Sequence, residues 1–210
     1  MKYLLLLSLT STVCFAGPIE YRPMRMETTK APEYKTTEQQ RERELVEKFR
    51  SAGFANMPAE ARTKLALIAE RVLNDVSLSQ GVASSDISTA IKNTPKLYDA
   101  VLARVQILKK STSSKAEGES ALLDLQLVSE IGKLDAAHPD FQKNIDILKA
   151  IVEIPSEKAS IVEFKKRLAS GLESMTGNKT LEQVILAAGK GLGANGKQIT
   201  LKDLLACLAA

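Results

Sequence analysis

Ten residues near the C-terminus, GKGLGANGKQ (189–198), carry the closest glycine spacing in the chain. Gly191, Gly193 and Gly196 fit G-x-G-x-x-G. Gly191, Gly196 and Lys197 fit G-x-x-x-x-G-K, with Gln198 where a Ser or Thr would reach Mg²⁺. Both patterns bind phosphate because successive backbone N–H groups line a loop between a strand and a helix N-terminus. Here the preceding residues have a helical pattern, few residues follow, and no parallel sheet is predicted to host the loop. The spacing therefore predicts a connector that folds the last helix back onto the body.

His138, the only histidine, stands before Pro139 and Asp140 at the junction of two helical patterns. An imidazole there is a general base only with a partner that the sequence does not place; otherwise it satisfies backbone groups or faces water. One His and two Cys leave almost nothing for a zinc site or a His-based triad, and no cofactor is implied. H-E-x-x-H, G-x-S-x-G and EF-hand patterns are missing. A pair of carboxylates needs no local motif, but none stands out among the 25 acidic residues.

Lys165, Lys166 and Arg167 form a short basic run on a predicted helix, pointing outward. The run is either a solvated face or a contact for an anionic membrane or partner. Asn178, Lys179 and Thr180 make a glycosylation sequon that matters in a eukaryotic host, and Thr180 is equally explained as a helix cap. Cys207 falls at the border of the apolar face of the last helix. It is open to three readings, an intermolecular disulfide, a free thiol or burial as a small hydrophobe.

The elements that must position these residues begin after an address. Residues 1–16, MKYLLLLSLTSTVCFA, place one basic residue before an apolar run too short to span a bilayer, then small and polar residues. This predicts a cleavable secretory signal cut after Ala16 and a secreted or periplasmic protein with no transmembrane segment in the mature chain. Cleavage removes Cys14 and one charge, Lys2, lowering the net charge from +4 to +3. That mild balance, with 4% aromatics and an exported destination, argues against a nucleic-acid partner.

Residues 17–36 hold Pro18, Pro23 and Pro32 without periodicity and are expected to be a disordered tail. The other four prolines, Pro58, Pro95, Pro139 and Pro155, each stand at or before a helical pattern, where a missing N–H costs nothing. Apolar residues then recur at three- and four-residue steps, as in Leu65, Ile68, Val72 and Val76, or Ile161, Phe164, Leu168 and Leu172. Capping-box spacings occur at Thr37/Gln40, Thr180/Gln183 and Thr200/Asp203. Residues 119–136 and 140–154 are apolar on two sides, which suits the middle of a bundle.

The expectation is an all-α bundle of about seven or eight helices without sheet. It comprises an N-terminal subdomain (37–110), a polar linker (111–118) and a C-terminal subdomain (119–210). The shortage of catalytic side chains favours a non-catalytic exported protein acting by surface contacts with a protein partner or with itself. The alternatives are a carrier of lipid or another apolar ligand between the helices and, third, a carboxylate-dependent hydrolase.

Overall fold

Several helix starts follow from caps and prolines. A computed structural model describes residues 33–78, 81–175, 180–191 and 200–209. Among these residues every regular element is a helix, nine in all: α1 (Glu33–Ser51), α2 (Ala59–Asn74), α3 (Ser84–Asn93), α4 (Leu97–Lys109), α5 (Lys115–Gly132), α6 (Phe141–Glu153), α7 (Ala159–Glu173), α8 (Leu181–Ala188) and α9 (Leu201–Ala209). The predicted signal peptide and nearly all of the predicted tail lie outside the described residues.

Pro58 is the N-cap of α2. Thr180 caps α8, its hydroxyl accepting from Gln183 N–H while the Gln183 side chain accepts from Thr180 N–H. The same reciprocal pair opens α5 between Ser114 and Glu117, inside the stretch expected to be a polar linker. That stretch looks like a linker because four of its eight residues are Ser or Thr, yet one capping box suffices to start a helix there. α1 also begins earlier than expected, at Glu33, so Thr37 is an interior residue and not a cap.

α5 is the central element. It packs against α3, α4, α6 and α7. From Leu123 to Ile131 all of its side chains except Gln126 are buried. Such a helix has no solvent face along these turns, as its two apolar sides predict. Around it, α2 packs on α3, α8 on α7 and α9 on α8. One continuous core runs through them, including Leu65, Leu73, Ile87, Ile91, Val101, Leu125, Ile131, Ile145, Leu148, Phe164 and Leu168. Burying each large aliphatic or aromatic side chain contributes about 1.5–3 kcal/mol, so this core is the main source of stability.

α1 is the outermost of these helices. Val46 is its one buried side chain among those described, with Phe49 packed partly against the core. No described helix is long and apolar enough to cross a membrane.

Candidate functional site

Three charged residues occupy the apolar arcs of three helices. At about 100° per residue, Lys165 lies within the arc set by Ile161, Phe164, Leu168 and Ala169 on α7. Arg104 sits between Val101 and Leu108 on the inner side of α4, and Asp124 lies between the two apolar stripes of α5. Folding these faces against one core brings the three charges together.

Lys165 is fully buried. Its ammonium donates to Asp124 Oδ1 at 2.7 Å, to the Ile154 carbonyl at 2.7 Å and to Ser156 Oγ at 3.0 Å. Arg104 donates through Nε to Asp124 Oδ2 at 3.0 Å and through a terminal nitrogen to the Val152 carbonyl at 3.0 Å. One carboxylate cannot neutralise two cations. The balance comes from α6, whose C-terminal carbonyls carry the equivalent of about half a negative charge and point at both. Burial pulls the Lys165 ammonium below the ordinary lysine value, while the charge and hydrogen bond of Asp124 oppose that shift.

This arrangement corrects the expectation for the basic run. Lys165 does not point outward and is not available to an anionic partner; its three N–H donors are all engaged inside the bundle. Lys166 and Arg167, the next two residues, are exposed. Arg167 pairs with Glu163 at 3.0 Å and donates to the Lys190 carbonyl at 3.2 Å, which ties α7 to the end of α8.

A second polar junction joins α3 to the end of α5. Glu130 is buried and accepts from Lys133 at 2.7 Å, and Ser129 donates to Asp86 at 3.4 Å. The Glu130 hydrogen bond raises the Lys133 pKa, and the charges of Glu130, Asp86 and Glu173 add to the effect. The backbones meet closely here: a Cβ on Gly132 would fall 1.9 Å from the Asp86 carbonyl oxygen.

His138 lines a surface pocket of about 400 Å³, together with Asp135, Asp140, Glu182 and an apolar floor that includes Phe141, Ile147 and Met175. Its Nδ1 accepts from the Asp140 N–H at 3.1 Å, so this nitrogen satisfies a backbone donor ahead of α6. Among the described residues no group of three or more His, Cys, Asp or Glu side chains is placed to hold a metal ion. A larger groove of about 640 Å³ runs between α1, α2 and α4. Val46, Ile68, Val72, Tyr98 and Leu102 line it, with Glu42, Arg43, Glu47, Arg50, Arg71 and Asp75 beside them. Cys207 is exposed on α9. Asn178 and most of the glycine-rich run, including Gly193, Gly196, Lys197 and Gln198, lie outside the described residues.

No family model, curated protein or solved structure matches this chain.

Arg104 and Asp124 were not singled out by motif or spacing. The signal that finds them, and corrects Lys165, is a charge inside the apolar arc of a helix. A single helical wheel shows each charge, but only the fold shows that they meet.

Proposed function

We propose that this chain is an exported, non-catalytic helical protein that acts through surface contacts, with a protein partner or with itself. The observation that supports it is the use of the buried charges. Each buried charged side chain among the described residues, Asp124, Glu130 and Lys165, is in an ion pair that joins or caps helices. A lysine whose three donors are engaged is neither a base nor a nucleophile, so its chemistry serves the architecture. What the molecule offers to others is therefore its surface, and the groove between α1, α2 and α4 is larger than the pocket beside His138. Leu67, the one large hydrophobic side chain exposed among the described residues, lies on α2 one turn before Arg71 of that groove.

The alternative, a carrier of an apolar ligand, draws on the apolar floor of the His138 pocket. One experiment weighs the two. The chain is recovered from the exported fraction of its host after mild cross-linking, and half of the sample is extracted with organic solvent. A stoichiometric cross-linked complex with an empty extract is expected. An uncomplexed monomer carrying extractable lipid would overturn the contact reading.

A further inference from the structure

We infer that α1 is an exchangeable arm, and that its partner is a second copy of this chain whose α1 takes its place on α2 and α4. The inference rests on the contact reading and names the partner.

The arm is weakly held. Val46 is its one described buried side chain, and the groove of about 640 Å³ beneath it shows that α1 does not fill the space beside α2 and α4. The remaining links are the partly buried Phe49 and ion pairs at or near the surface: Arg50 to Asp99 of α4 at 2.8 Å, and Arg71 of α2 to Glu42 at 2.8 Å. Such pairs are individually weak. They are also specific, because acid and base alternate between arm and groove, and the same pairs re-form whichever copy supplies the arm.

The hinge is strained in the closed form. α1 ends in a Schellman turn, with Phe54 N–H on the Phe49 carbonyl at 2.9 Å and Gly53 N–H on the Arg50 carbonyl at 2.9 Å. Gly53 takes φ +63° without penalty, but Phe54 at +56° and Asn56 at +52° follow it into the left-handed region. A phenylalanine there crowds its Cβ against backbone, and two such residues in a seven-residue link (52–58) are uncommon. Opening the link to an extended conformation relieves both, and requires Phe54 and Met57, buried in the core, to leave their seats and re-form them in the exchanged pair. A strained hinge and an arm whose contacts can be reproduced by a neighbour are conditions for exchange of an element between copies.

The test uses the full chain, followed by size-exclusion chromatography with light scattering after refolding over a range of concentrations. A dimer whose fraction rises with concentration is expected. Asn56→Pro cannot adopt a positive φ and should raise the dimer association constant about tenfold; Asn56→Gly, which adopts it freely, should lower it by a similar factor. If Asn56→Pro does not fold, Asn56→Gly decides alone. To locate the contact, Gln39→Cys and Gln106→Cys chains, which mark the arm and α4 sides of the groove, are each combined with Cys14→Ser and Cys207→Ser. They are mixed in denaturant, refolded together and treated with a bis-maleimide. A cross-linked heterodimer confined to the dimer peak supports exchange. A monomer at every concentration, or a dimer insensitive to Asn56 that yields no such cross-link, overturns it. A monomer that still captures a different protein in the exported fraction overturns exchange and leaves the contact reading standing.

Discussion

Replacing Lys165 by Met keeps most of the aliphatic stem and removes three hydrogen bonds, to Asp124, Ile154 and Ser156. Severing a buried ion pair from one side costs about 3–5 kcal/mol, most of it from the charge left behind. Here Asp124 keeps Arg104 at 3.0 Å, so its charge is not orphaned. The loss falls instead on the Ile154 carbonyl and the Ser156 hydroxyl, which places Lys165→Met at the lower end, about 3 kcal/mol. Asp124→Asn is the harsher change. It strips both cations of the carboxylate they share and should cost about 4–5 kcal/mol.

The assay is urea unfolding followed by the helical circular dichroism signal. With a slope of about 2 kcal/mol per molar urea, the Lys165→Met midpoint should fall by about 1.5 M. Because the residues touch, the double variant should be less destabilised than the sum of the singles by at least about 1 kcal/mol. A Lys165→Met midpoint within about 0.3 M of the parent would refute the reasoning, since a lysine lost from a solvated face changes little. Strict additivity would refute the shared cluster.

Three further outcomes are expected. Gly132→Ala sets a methyl 1.9 Å from the Asp86 carbonyl oxygen, so α3 and α5 must separate; thermal melts should show a loss of about 2–4 kcal/mol, beyond any gain in helix propensity. Thr180→Ala removes the hydroxyl that accepts from Gln183 N–H and should cost about 1 kcal/mol in urea unfolding, with Thr180→Ser recovering most of it. The Lys133 pKa is raised in the fold by Glu130, so the stability it lends is complete below the ordinary lysine value and declines as pH climbs through the raised one. Melts of parent and Lys133→Met across alkaline pH should therefore converge; a constant difference would show that the pair does not titrate with folding.

The fold was legible where local chemistry decides it. Thr180 and Gln183 fix the start of α8, and Gly53 ends α1 through the Schellman turn that its position implies. The start of α1 was hidden because EYKTTEQQ has no apolar periodicity to mark it. The start of α5 was hidden because Ser114 and Glu117 sit in a Ser- and Thr-rich setting that also describes linkers. At the ion cluster, helical periodicity places Lys165 on the inner arc of α7, so its burial could be read from the residues. Its partners could not. Asp124 lies 41 residues away and the Ile154 carbonyl belongs to the end of another helix. Pairing across such separations is set by how helices cross, and one sequence does not state it.

The ion cluster has a kinetic consequence. Its bonds span 41 residues between Lys165 and Asp124, 20 between Arg104 and Asp124, and 48 between Arg104 and the Val152 carbonyl. The full set closes only when α4, α5, α6 and α7 have all docked, so the complete cluster is expected at the last stage of assembly, after the folding transition state. Disrupting it should leave the refolding arm of a chevron nearly unchanged and steepen escape from the native state. For the Lys165→Met loss of about 3 kcal/mol, unfolding should accelerate by roughly a hundredfold. The cluster is thus a latch on the finished bundle, and it governs how long the protein stays folded more than how quickly it folds.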